Sequence, residues 1–330
     1  MARLILTADS SSAGGLKLSG RADIAVALEP RLVWGPLPSQ DELAAFVAPR
    51  STQKPDSHWL DHGSPGHMDE FGGGDLGLIE LCRRCETIDL WFEAEPNSQL
   101  VLIWLLDYLQ SHADTAIIAK LVLVLVDSSL DGAKMPAKRR FPAVEVTNDH
   151  LEIASLAWLA YRAPTPEACF DLLNKDLSIL PQLRRCIVEL LEELPARATG
   201  LGASETRILE LISAGYTHPF DLFPHYKQRF QRRVFGYWEV GALLDGLAFA
   251  PVPAISGLAE SPFTIEMHES SSRLDRYKES KLSLTTLGKA LLTQADNFSR
   301  HNPIDRWWGG TRLTNDHLWR CNPVLIEPGH

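Results

Sequence analysis

The sequence predicts an α/β fold: a small doubly wound parallel sheet, a helical connector, and a C-terminal winged-helix-like α+β domain. Three observations predict it. Apolar runs at residues 4–7, 24–28, 88–92 and 121–126 read as buried strands, and the last, Leu-Val-Leu-Val-Leu-Val, has no polar alternation, as expected of a strand covered on both faces. Residues 97–112 carry Leu100, Ile103, Trp104 and Leu106 between the third and fourth runs, and strand, helix, strand is the parallel crossover unit. From Thr147 onward the apolar period turns helical.

Taken in order, residues 1–146 are read as a Rossmann-like domain. Asn97 or Ser98 can cap the helix that precedes the fourth strand. Residues 49–75 interrupt this domain with Pro49, Pro55, Pro65, a run of glycines and His58, His62 and His67. Lacking periodicity, they are expected to form a mobile insertion, either a lid or plain disorder. Residues 147–200 are read as the helical connector. There Pro181 suits a first turn, and Leu183, Ile187, Leu190, Leu191 and Leu194 make one apolar stripe.

The winged-helix-like domain is placed at 201–330. A helix is expected over 205–214, capped at Ser204 and ended by Gly215. Helical segments follow near 219–230 and 237–247, then strand-like pieces at 249–255, 263–267 and 281–285. Three helices with a hairpin are the winged variant of the helix-turn-helix. Gly309 and Gly310 between strand-like pieces suggest a C-terminal hairpin. The tryptophans around it, Trp307, Trp308 and Trp319, are read as closing a core between domains rather than as a binding platform.

Length and charge narrow the function classes. At 330 residues the chain suits two or three domains. The net charge is -10, from 32 basic and 42 acidic residues, which argues against generic nucleic-acid binding. From Leu201 on, basic and acidic residues number 14 each, so the excess acid lies in residues 1–200. The cluster Lys227, Arg229, Arg232, Arg233 is basic, yet the helix after it carries Glu239, Asp245 and no base, unlike a recognition helix. The apolar stretch near the N-terminus is too short for a signal-peptide core, and no stretch can span a bilayer. Five scattered cysteines fit a reducing compartment, so a cytoplasmic location and no membrane partner are expected.

Candidate chemistry collects where the strands end. In an open parallel sheet, ligands bind beyond the carboxyl ends of the strands. Strand one runs into Asp9, Ser10 and Ser11, strand two into Glu29, strand three into Glu93 and Glu95, and strand four into Asp127. The expected ligand-binding set is Asp9, Ser10, Ser11, Glu93, Gln99 and Asp127. Gathered carboxylates can share a hard cation or hold each other's protons. The same residue types also serve simply as helix caps. No catalytic residue, metal or cofactor is assigned.

Sharper motifs fail. Gly72-Gly73-Gly74-Asp75-Leu76-Gly77 lacks a preceding strand, which a dinucleotide fingerprint requires. Asp9-Ser10 after strand one is reminiscent of a hydrolase nucleophile block, but no Asp-x-x-His follows. Cys82-Arg83-Arg84-Cys85 lacks a second cysteine pair. Leu78, Leu81, Cys82 and Cys85 share one helical face, so the cysteines are read as core residues rather than zinc ligands.

Several blocks resemble, in order and over nearly the whole chain, the bacterial domain-of-unknown-function family 1835. They are Asp9-Ser10, Leu32-x-x-Gly35-Pro36-x-Pro38, Leu90-Trp91-Phe92-Glu93 with Gln99-Leu100, and Leu284-Thr285 with Leu287-Gly288. Ile304-Asp305-Arg306-Trp307 with Gly309-Gly310 and Trp319-Arg320 complete the set. The resemblance implies a cytoplasmic bacterial protein and supplies no reaction. It also marks departures. Family members tend to have Gly-Asp-Ser where this chain has Ala8-Asp9-Ser10, and Arg-Asp where it has Glu29-Pro30. They tend to have a His and two Asp where it has Ala94, Glu95 and Ser98. A catalytic family site would be weakened or repurposed here.

The sequence is therefore read as a regulatory or binding module for a small polar ligand or a protein partner. Two alternatives stand beside it: a hydrolase or group-transfer enzyme using the strand-edge carboxylates, and a DNA-binding regulator.

Overall fold

The computed structural model describes residues 2–50, 75–126, 141–223, 234–321 and the backbone of 325–326. Residues 51–74 of the predicted 49–75 insertion, with its histidines and triple glycine, therefore lie outside the described residues, as do Asp127 and the basic cluster at 227–233. The chain divides into two units. The first comprises Met1–Leu32, Leu37–Arg162 and Asp171–Cys186, and the second Val33–Pro36, Ala163–Phe170 and Ile187–His330.

The first unit is a mixed α/β structure. Its elements are β1 (Arg3–Thr7), α1 (Ser10–Leu18), β2 (Ile24–Ala27), α2 (Gln40–Phe46), α3 (Leu78–Arg84), β3 (Thr87–Phe92), α4 (Pro96–His112), α5 (Thr115–Ile118), β4 (Leu121–Leu125), β5 (Ala143–Glu145) and α6 (Asn148–Arg162). The sheet order is β2-β1-β3-β4-β5. The first four strands are parallel, and β5 pairs with β4 antiparallel.

Burial explains why the apolar runs became strands. Leu4, Ile5 and Leu6 are fully buried, so both faces of β1 are covered and no polar alternation is needed. Ile5, Ala25, Ala27, Trp91 and Val124 pack with Ala13 and Leu16 of α1 on one face. Helix α4 is apolar nearly all round and packs against β3 and α6, the pattern of a helix buried on several sides. Pro96 occupies its first turn, where a missing N–H costs nothing.

The insertion leaves and rejoins the domain at one place. Arg50 N donates to Asp75 O (3.2 Å) and Leu78 N to Val47 O (2.9 Å). Two short helices lead out of this unit, α7 (Glu167–Leu172) and α8 (Leu183–Leu191). The predicted stripe of Leu183, Ile187, Leu190, Leu191 and Leu194 is buried throughout.

The second unit continues with α9 (Ala203–Ser213), α10 (Tyr237–Ala248), β6 (Ile255–Ser256), α11 (Ile265–Glu269), α12 (Ser271–Glu279), β7 (Ser283–Leu284), α13 (Thr286–Leu292), β8 (Asp305–Trp308), β9 (Thr311–Thr314), β10 (Arg320–Cys321) and β11 (Leu325–Ile326). Three local expectations are corrected. Helix α9 is capped by Gly202 rather than Ser204, because Glu205 reaches back to Gly202 N (2.7 Å) while Ser204 is occupied by Glu193. Residues 263–267 are not a strand: Phe263 is buried beside Gly241 and α11 begins at Ile265. Of 249–255 only Ile255 is in a strand, since Phe249 ends α10 as its C-cap. The C-terminal hairpin forms as β8 paired antiparallel with β9 around Gly309 and Gly310. Trp308 and Trp319 are buried, and Trp307 is 37% exposed.

Candidate functional site

The strand order reverses between β1 and β3, so the crevice at their carboxyl ends is where this topology places a ligand. Three segments meet there: the first turn of α1, the residues after β2, and the link from β3 to α4. Asp9 is extended and caps α1, its Oδ1 accepting from Ser12 N at 2.8 Å. Ser10 N donates to Glu29 Oε1 at 2.6 Å, which binds the end of β2 to α1. Ser12 Oγ donates to Glu93 Oε1 at 3.2 Å, which binds α1 to the end of β3.

The α4 side is held as firmly. Gln99, 4% exposed, donates from Nε2 to Glu93 O at 2.7 Å. Asn97 accepts from Leu32 N (2.8 Å) and donates to Pro30 O (3.2 Å), fixing the chain after β2. Tyr161 of α6 donates to Leu32 O from the other side (3.0 Å). Thus Asp9, Ser10, Glu93 and Gln99 are brought together as the sequence suggested, and Ser11 is exposed next to them.

Three participants fell outside the predicted set: Ser12, Glu29 and Asn97. Ser12 stands three residues after the cap, the position whose amide an N-cap carboxylate takes. Glu29 directly follows a strand. Those positions were the available signals.

Two hydroxyls at this edge are orphaned. Thr7 Oγ1, on the last residue of β1, and Ser98 Oγ, in the first turn of α4, are buried without a hydrogen-bond partner. A buried hydroxyl left unpaired costs about 1–3 kcal/mol. A cleft in this unit is lined by Phe92, Gln99, Leu102, Leu123, Leu180 and Gln182 among others, with about 20 Å³ inside, room for one water.

The acids here carry the first-turn donors of α1, so this helix end is electronegative in its surroundings and unsuited to a phosphate. It suits a ligand bearing hydroxyl or amino donors. Among the described residues, no three His, Cys, Asp or Glu side chains are grouped to hold a metal ion. The C-x-x-C is a core feature: burial pushes the Cys82 thiol up to about 12 and the Cys85 thiol up to about 11, so both stay protonated and weak as ligands. No helix among the described residues is long and apolar enough to cross a membrane.

No protein-family model matches the chain, and no curated protein matches it significantly.

Proposed function

We propose that this chain is a regulatory module that binds a small polar ligand at the carboxyl edge of β1 and β3. The orphaned hydroxyls of Thr7 and Ser98 carry the reading. Natural proteins pair nearly all their buried polar atoms, and exceptions collect where a ligand or water completes the set. Ser10 and Ser11 offer exposed hydroxyls, and Glu93 a carboxylate held in place by Ser12. The resemblance to domain-of-unknown-function family 1835 is kept as part of this proposal, as is a cytoplasmic setting.

For the second unit the proposal is a winged-helix-like regulatory domain. Its support is the run of α9, α10, the β6–β7 pair and α13. Its α10 carries no base, and its two acids are turned inward, Glu239 to Gly236 N and Asp245 to Phe263 N, so reading of DNA bases by this helix is disfavoured.

The test is native mass spectrometry of the full chain purified gently from its own host. Wild type should carry an adduct of metabolite size. Glu93→Gln and the hydroxyl-removing pair Thr7→Val with Ser98→Ala should lose it. Removing unpaired buried hydroxyls should leave the melting temperature unchanged or raise it. A bare wild-type chain, or variants that retain the adduct, would refute the proposal.

A further inference from the structure

Three arginines from distant parts of the second unit converge. Arg197 lies in the turn after α8, Arg300 ends the 3-10 turn Phe298–Arg300, and Arg320 lies in β10. One buried side chain organises the meeting. Asn297, 5% exposed, donates from Nδ2 to Arg197 O (2.9 Å) and Ala198 O (3.2 Å). Its Oδ1 accepts from the amide (3.1 Å) and hydroxyl (2.7 Å) of Ser299, the residue before Arg300. Phe298 N adds a bond to Thr199 O at 2.7 Å. Arg320 joins from the third side, donating to Ala196 O (3.3 Å) and Ser299 Oγ (3.0 Å). Cys321 N anchors its strand to Pro195 O (3.3 Å). Each of these partners is a chain neighbour of Arg197 or Arg300, or lies within two residues of one.

This arrangement gathers positive charge. Arg320 is partly buried, and burial together with the fields of Arg300 and Arg197 holds its pKa below the ordinary arginine value. Arg197 and Arg300 are exposed, and the hydrogen bonds that build the turn use their backbones, not their guanidinium groups. Asp296, whose carboxylate feels Arg300, is committed elsewhere: both its oxygens lie 2.9 Å from His301 Nε2, and one accepts from Asn297 N at 2.7 Å. Like charges held together by a rigid backbone repel, and an oxyanion between them converts that repulsion into attraction.

We propose that Arg197, Arg300 and Arg320 form a binding site for a phosphoryl group, carried by a small phosphate ester or arriving as free phosphate. Guanidinium forks match phosphate oxygens in pairs of parallel hydrogen bonds. Two such forks above a third guanidinium charge suit a dianion better than a singly charged carboxylate. Arg320, fixed by Ala196 and Ser299, supplies the floor, and Arg197 and Arg300 supply arms that can close on the anion. The site lies within the second unit, and its chemistry is opposite in sign to the acidic edge of β1 and β3.

Calorimetric titration of the full chain tests the proposal, with inorganic phosphate and with glycerol 3-phosphate, at constant ionic strength set by chloride. Wild type should bind phosphate, with a raised melting temperature. The double variant Arg197→Gln with Arg300→Gln should bind about tenfold or more weakly. In chloride alone it should melt no lower than wild type, because a like-charge pair has been relieved. Tighter binding of glycerol 3-phosphate supports the site and identifies an ester as its ligand. Equal binding supports the site and identifies the free ion. No binding by wild type, or equal binding by the double variant, overturns the proposal.

Discussion

Ser12 Oγ donates to Glu93 Oε1 across 3.2 Å, so the first turn of α1 is tied to the residue that follows β3. Ser12 is 1% exposed, and a charged acceptor in such surroundings makes a stronger bond than a neutral one. The two residues are 81 positions apart, so this bond reports the packing of α1 over the β1–β3 seam. A double-mutant cycle on Ser12→Ala and Glu93→Gln should show a coupling of about 1 kcal/mol in urea unfolding. Additive losses would mean that the bond contributes nothing to the seam.

A second prediction concerns Arg3 and Asp89. Asp89 is 3% exposed in the middle of the sheet, and Arg3 Nε reaches its Oδ2 at 3.0 Å. The two residues are offset by two positions in register, Arg3 facing Thr87 and Ile5 facing Asp89. The Arg3 side chain is 49% exposed, which screens the pair and lowers its worth below that of a fully buried one. Arg3→Met should cost about 2 kcal/mol, because it leaves a buried carboxylate without its counter-charge. Asp89→Leu combined with Arg3→Met should recover most of that loss. Chemical denaturation of the single and double variants decides the matter, and a double variant no better than Arg3→Met would count against it.

The strands that were legible share one property: their residues are wholly or largely buried on both faces. Residues 4–7, 88–92 and 121–126 match β1, β3 and β4 to within a residue at each end, since a fully covered strand leaves an unbroken apolar run. Helix α1 was not legible, because Ser10, Ser11, Ser12, Gly14 and Gly15 are poor helix formers. The Asp9 cap and the burial of Ala13 and Leu16 overrule that propensity. Strand β5 was missed for the opposite reason: Ala143, Val144 and Glu145 are all exposed on an antiparallel edge, and leave no apolar signature. At the site, Asp9 and Glu93 could be found because they follow strands. The links from Ser10 to Glu29 and from Ser12 to Glu93 depend on which strands are neighbours, and local pattern does not encode that order.

Helix α10 offers a paired test of packing against propensity. A Cβ at Gly241 would overlap the Phe263 ring, whereas one at Gly246 would meet nothing within 4 Å. Both glycines lie in the interior of the same helix, where alanine is intrinsically favoured by about 1 kcal/mol. Gly246→Ala should therefore stabilise the chain by about 0.5–1 kcal/mol. Gly241→Ala should destabilise it by about 1–3 kcal/mol, as overpacking does. Thermal melts of the two variants should move in opposite directions. Movement in the same direction would show that Phe263 does not pack on Gly241 in solution.

The last prediction is a pH dependence carried by His150. This histidine, 5% exposed, sits in the first turn of α6. Its Nδ1 lies 3.1 Å from Thr147 N and 2.9 Å from Thr147 Oγ1. A backbone N–H can only donate, so Nδ1 is the acceptor and the ring proton resides on Nε2. The arrangement imitates a capping box, in which the third helical residue reaches back to the cap amide. Burial lowers the His150 pKa below its ordinary 6.5, partly offset by the nearby Asp149 carboxylate. Between that lowered value and 6.5 the unfolded chain binds more protons than the folded one, so stability rises with pH in that window. The contribution is complete above 6.5 and is lost as the pH falls toward the folded value, where the added proton also removes the acceptor of Thr147 N. His150→Gln keeps an acceptor for that amide and cannot titrate. Its unfolding free energy should track wild type near pH 7.5 and exceed it increasingly as the pH drops below 6.5. Parallel curves for the two proteins across that range would show that His150 is not the group responsible.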